Sequence, residues 1–222
     1  MTIRRTLART IALAAALGSV GIVADAHACG DAWVPEIQID YRIDGIARAE
    51  KTYGKGRHVA AAASVIRMMP HAKNLEPKKS TLVERAVRML AVATARENGA
   101  LPVAREVPRY AQGSWLGKTP EDRAKNLAWA IETLRKIDGI KKDDPAVKTD
   151  LAEALAKVDA HRAEARSLLE ALSKKDLVAT PEGYAVLAEL RSSGGDAAGG
   201  KLALTRCEAM AKEAAVCHGR RS

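Results

Sequence analysis

Between Pro145 and Met210 the chain carries the same apolar spacing twice, and that spacing limits the folds open to it. Leu151, Ala152 and Leu155 recur as Leu187, Ala188 and Arg191, a step of 36 residues. Ala165, Leu169 and Leu172 recur as Gly200, Leu204 and Cys207, a step of 35. Each unit spaces its apolar residues for two helices. The small members, Ala152/Ala188 and Ala165/Gly200, stand where two helices must approach closely, with leucines filling the space on either side. A unit of this kind cannot bury its apolar face alone, so neighbouring units must stack.

A period of roughly 34 residues with small residues at these offsets is the tetratricopeptide signature, and the chain resembles a tetratricopeptide-repeat solenoid from about Asp44 to Met210. The resemblance implies an all-α solenoid of about four helical hairpins that binds a peptide or protein segment on its concave face. It departs from the family pattern in its long connectors, His71–Lys79 and Asp138–Asp144, in its shortage of aromatics, and in one long insertion.

Composition agrees with an all-helical core. Of 222 residues 47% are hydrophobic but only 3% are aromatic, with no Phe, so the core must be Leu, Val, Ile and Ala at close range. A β-sandwich or barrel would ask for more aromatic and β-branched strands. The net charge of +9 falls to +7 beyond residue 28, and acidic and basic residues alternate along nearly every helix. Nucleic-acid binding would instead gather the cations on one face with interleaved aromatics.

Residues 1–28 read as an export signal. Arg4, Arg5 and Arg9 form its basic end, Ile11 to Val23 its apolar stretch, and Ala26-His27-Ala28 its cleavage site. Thirteen apolar-run residues diluted by Gly18 and Gly21 fall short of the roughly 20 that span a bilayer. Arg4-Arg5 also admits the twin-arginine route, although the general secretory route is the simpler reading. In a Gram-negative bacterium the product would be periplasmic or associated with the outer membrane. Cleavage would leave Cys29 first, the position that carries lipid in bacterial lipoproteins; ordinary cleavage beside a chance cysteine is the alternative, because His27 and the Ala24-Asp25 lead depart from the lipoprotein pattern. A lipid on Cys29 would be the chain's one link to a membrane.

Residues 29–43, with Ile37, Ile39 and Tyr41 alternating, are expected to be extended along the first hairpin. The hairpins follow across 44–216, with a tail at 217–222. Asp44 to Pro70 forms the first hairpin, turning at Gly54 and Gly56. Ser80 caps a helix whose stripe is Val83, Ala86, Val87, Leu90 and Ala91, stopped by Gly99. Its partner is expected to begin only at Thr119-Pro120-Glu121-Asp122, so 21 residues, 99–119, are inserted. Loops of that length are usually functional or disordered. Tyr110 and Trp115 make this one either a lid over a small ligand or lipid, or a structural strap.

No phosphate loop, Gly-x-Ser-x-Gly elbow or His-Glu-x-x-His helix occurs, so the residues point away from an enzyme, a metal site and a cofactor. Outside the leader the histidines, His58, His71, His161 and His218, fall at expected turns or ends, where solvation is the ordinary role. Cys207 and Cys217 could pair in an oxidising compartment only if the last helix ends near Lys212 and the chain folds back. Pairing with Cys29, or no disulfide, stays open.

The partner-binding residues follow from the register. With Ala91, Ala152 and Ala188 equivalent, the concave side should show Arg88, Val92 and Ala95, then Thr149, Glu153 and Ala156, then Ala185, Glu189 and Ser192. Arg85 lies one turn before Arg88, so a peptide groove would run from basic Arg85 and Arg88 to acidic Glu153 and Glu189. Neither Arg88 nor Glu189 is expected to fill core. Tyr110 and Trp115 are the competing site. The surviving functions are a non-enzymatic interaction or scaffold protein of the cell envelope and, as the alternative, a helical protein that encloses a small ligand or lipid under 99–119.

Overall fold

The computed structural model describes residues 40–102, 107, 109–113 and 115–218, with 111 and 112 described by backbone alone. The expected export signal, Cys29 and most of the expected extended segment lie outside the described residues. All regular structure among the described residues is helical, as the composition requires.

The helices begin where short polar side chains can satisfy their first N–H groups. Asp40 accepts from Arg42 N and opens α1, Tyr41–Tyr53. That cap pulls Tyr41 into the helix and corrects the expectation of extended chain up to residue 43. Helix α2 is His58–Met68. Ser80 caps α3, Thr81–Arg96, and Thr119 caps α5, Pro120–Ile140, on either side of the four-residue α4, Arg109–Gln112. Helix α5 outruns its expected end because Ile137 is fully buried and holds another turn in place. Asp144 caps α6, Pro145–Leu155, and α7 is Arg162–Ser173. Thr180 and Asp196 cap α8, Pro181–Ser193, and α9, Ala197–Met210. Proline occupies the first helical turn of α5, α6 and α8, where its missing N–H costs nothing.

Packing follows chain order. Helix α1 packs on α2, α3 on α5, α6 on α7 and α8 on α9. Each second helix also meets the next first helix, α2 with α3, α5 with α6 and α7 with α8. One cluster joins Ala91, Ala130, Leu134, Leu151, Ala152, Leu155, Ala165, Leu169 and Leu187 across five of these helices. At Gly200 the helices approach closely: a β-carbon there would sit 3.1 Å from the Ala188 carbonyl and against the Ser192 hydroxyl, so a larger residue would need α8 and α9 to adjust.

The insertion is packed core in its described part. Leu101, Val107 and Trp115 are buried with Ile46, Ile66 and Leu90, and Trp115 meets Trp129 edge-on at 5.0 Å between centroids. Its two ends are joined by Leu101 N donating to Trp115 O at 3.0 Å. Asn126 of α5 donates to the carbonyls of Gly99 and Trp115, and Arg123 Nε to that of Gly117. Gly99, at φ +78°, has no room for a β-carbon against the Arg123 backbone. Tyr110, by contrast, is 74% exposed.

Beyond Met210 the chain folds back into α10, Ala215–His218, and Cys207 and Cys217 form a disulfide with their Cα atoms 5.8 Å apart. Cys217 therefore belongs to the packed end of the domain instead of a tail. No described helix is long and apolar enough to cross a membrane.

Trp115→Ala is expected to lower unfolding free energy by about 3–5 kcal/mol, as for other buried tryptophans. Tyr110→Ala should stay within about 0.5 kcal/mol. Urea unfolding followed by circular dichroism separates the two; equal effects would contradict the strap.

Candidate functional site

Charges dominate where the first helices of successive hairpins meet. On α3, Arg88 and Arg96 lie eight residues apart, close to two helical turns, so both project to one side. On α6, Asp150 and Glu153 share a face at a spacing of three. Helix α6 packs on α3, and the four side chains meet in register. Arg88 Nε donates to Asp150 Oδ2 at 2.7 Å, while Arg96 donates from Nε and Nη2 to the two Glu153 oxygens at 2.9 and 3.1 Å.

Arg96 is the centre of the seam. Its Nη1 donates to Glu182 Oε1 of α8 at 2.8 Å and lies 2.9 Å from His58 Nε2 of α2. Its guanidinium carbon stands 5.7 Å from the ring centroid of Tyr53 on α1, and Tyr53 meets His58 edge-on. Glu153 is 2% exposed and also accepts from Thr180 Oγ1 at 2.5 Å. Five helices thus converge on one guanidinium.

Electrostatics follow from burial. Desolvation works against the Arg96 charge, but Glu153, Tyr53 and Glu182 outweigh it and hold the guanidinium above its usual range. Burial would raise Glu182, yet His58 and Arg96 bring it below the ordinary carboxylate value. Burial raises the Tyr53 phenol. At Asp150 burial prevails over the pull of Arg88, helped by the neighbouring charge of Glu153, and pushes the carboxyl up to about 6. Every carboxylate of the seam faces a guanidinium, which is the chemistry of an interhelical clamp.

The expected partner-binding residues fall into two sets. Arg88 and Glu153 belong to the clamp, and Val92, Ala95, Thr149 and Ala156 are buried with them, because α6 lies directly on that face of α3. The expected open groove is therefore filled between α3 and α6. Arg88 also differs from the expectation that its loss would be harmless, since Asp150 depends on it. Arg85 forms a bidentate pair with Glu50 of α1 and stays half-exposed. Glu189 is exposed and accepts from Arg162 at 2.9 Å. Tyr110 lies on the surface, and Trp115 is core. Cys29 lies outside the described residues.

Sequence reasoning missed Arg96, Asp150, Glu182, Tyr53 and His58. His58 is not a solvated turn residue; its side chain is 15% exposed. A usable signal was present: Asp150 and Glu153 flank Leu151 and Ala152, so the helix cannot keep them far from its buried stripe. Among the described residues no group of His, Cys, Asp and Glu is arranged to hold a metal ion.

Compared with protein-family models, curated proteins and solved structures, the chain matches none. Function has to be argued from the geometry.

Removing one partner of a buried ion pair strands the other. Arg96→Met is expected to cost about 3–5 kcal/mol of stability, and Arg96→Met with Glu153→Leu should recover most of it. A double-mutant cycle in urea tests this; additive losses would show that the two residues do not act as a unit.

Asp150 adds a pH dependence. Its folded value lies above its unfolded one, so the folded chain binds more protons between about pH 4 and 6. The resulting stabilisation is complete below the unfolded value and is lost as pH rises through about 6. Stability should therefore fall by on the order of 2 kcal/mol from pH 4 to pH 7 at this site, and Asp150→Asn should flatten the profile. An unchanged profile in the variant would assign the dependence elsewhere.

Proposed function

We propose that this chain is an exported, non-enzymatic interaction or scaffold protein of the cell envelope, built as a tetratricopeptide-like solenoid that binds a protein or peptide segment. The observation that carries this reading is the order of packing. The first helices of successive hairpins touch in sequence, α1 with α3, α3 with α6 and α6 with α8, while each second helix packs against the next first helix. A stack made this way presents one row of helices to a partner.

Since the α3–α6 part of that row is closed by its own ion pairs, a partner would engage exposed residues beside it, with Glu189 the leading candidate. The alternative, a small ligand or lipid held under residues 99–119, is weakened because Leu101 and Trp115 occupy the space beneath the insertion themselves. Export rests on Arg4, Arg5, Arg9 and the Ala26-His27-Ala28 site. The Cys207–Cys217 disulfide supports an oxidising compartment.

Two measurements on the full-length protein, expressed in its own cells, test the proposal. Mass analysis should give a chain beginning at Cys29, with or without acyl chains; retention of residues 1–28 would refute export. A photoreactive residue at position 189 should capture an envelope protein, and one at position 110 should not. Capture from 110 alone would move the site to the insertion.

A further inference from the structure

Away from the seam, a trough of about 470 Å³ runs between α5 and the turn that joins α6 to α7. Ala124, Leu127, Ala128 and Ile131 form its floor at the i, i+3, i+4, i+7 spacing of one helix face, and Val158 forms the opposite wall. Leu127 and Ile131 are sunk into the core, whereas Ala124 and Ala128 are exposed, so the trough is bounded by methyl groups. No Phe, Tyr or Trp lines it, so no large ring offers a stacking platform for a planar ligand. Its walls are helix and turn, and neither offers the free strand edge to which an extended peptide could add.

The rim is cationic. Arg123 and Lys157 stand there, beside His161, against a single acid, Asp159. Among the described residues Lys157 has no ion-pair partner, and Arg123 uses only Nε, on the Gly117 carbonyl, which leaves its two terminal nitrogens for a further acceptor. His161 is 3.8 Å from Glu164 and is already engaged.

An aliphatic floor under a cationic rim is complementary to an alkyl chain ending in a carboxylate, and the volume lies within the usual range for small-molecule sites, about 300–1,000 Å³. We propose that this trough binds a free aliphatic carboxylate, its chain along Leu127, Ala128 and Ile131 and its carboxylate at Arg123 and Lys157. The arginine fork suits a carboxylate in two-point contact, and the chain would cover the exposed methyls of Ala124 and Ala128 and the edges of Leu127 and Ile131. This site is separate from the protein-binding surface proposed above and stands or falls independently of it.

The test is calorimetric titration of the full-length protein with octanoate, decanoate, dodecanoate, dodecanol and dodecyltrimethylammonium, all below micelle formation. Affinity should rise severalfold for each two added methylenes, short of the roughly tenfold or more of full burial because one side of the trough is open. Dodecanoate should bind at least tenfold more tightly than dodecanol, and the ammonium more weakly than either. Lys157→Gln should weaken dodecanoate several-fold and leave dodecanol unchanged. Ala128→Trp, at an exposed position that does not enter the core, should abolish binding of both while leaving the melting temperature unaltered. Equal affinity for all three head groups, saturation unaffected by Ala128→Trp, or binding of none of the probes would overturn the proposal.

Discussion

The Arg96 guanidinium is the point on which the arrangement of the helices depends. It ties the end of α3 to Glu153 of α6 and Glu182 of α8, and it stands over the ring of Tyr53 of α1. Buried ion pairs contribute little net stability, because desolvation consumes most of the Coulombic gain. Their effect is on register. An α6 displaced by one turn would carry one of these carboxylates into the other's place, since Asp150 and Glu153 are three residues apart, but would strand the second away from its guanidinium in a buried setting, and such an orphan costs several kcal/mol. Apolar packing among alanines and leucines tolerates several sliding positions; the charged seam satisfies both carboxylates in one.

That division of labour follows from the composition. With no Phe and few aromatics, the interhelical contacts are made by alanines such as Ala91, Ala130, Ala152 and Ala165, which bring helix axes close but are individually poor at fixing a direction. Close approach in turn shortens the reach required of Arg88 and Arg96. Trp115 and Trp129 lock the insertion onto α5, Tyr53 closes the seam at the first hairpin, and Tyr184 is buried in α8.

Most of the helices were legible in the sequence because their starts are chemically marked. Ser80, Thr119, Asp144 and Thr180 each cap a helix, and Pro120, Pro145 and Pro181 open the turns that follow. A length argument gave a fold-back near Lys212 as the condition for Cys207 to reach Cys217, and left open whether they pair; the structure joins them. The beginning of α1 was not legible, since the alternation of Ile37, Ile39 and Tyr41 suits a strand and only the Asp40 side chain reveals the cap. Much less of the site could be read. Helical phase placed Arg88 and Glu153 on a common side but said nothing about whether a neighbour would cover them. That depends on the distance between α3 and α6, a property of the stacked hairpins and not of either helix. Arg96 sits in the last turn of its helix, where any cation complements the helix dipole, so its position alone carries no signal of a buried pair.

Pairing inside the seam has a consequence for the outside. Arg88 and Arg96 are matched by Asp150, Glu153 and Glu182, so the interior carries no positive excess. Among the described residues, the exterior outside the seam carries cations at Lys51, Lys55, Arg57, Lys78, Lys79, Lys174 and Lys175, all exposed. A field arising from exterior cations acts over about a Debye length, roughly 8–10 Å at physiological salt, and draws acidic surfaces toward the protein without selecting among them. On the proposed readings, selection would come from short-range features, the exposed acid of Glu189 beside Arg162 and the aliphatic trough along α5. Long-range attraction and local recognition would then rest on different residues, and neither would require the clamp at Arg96 to open.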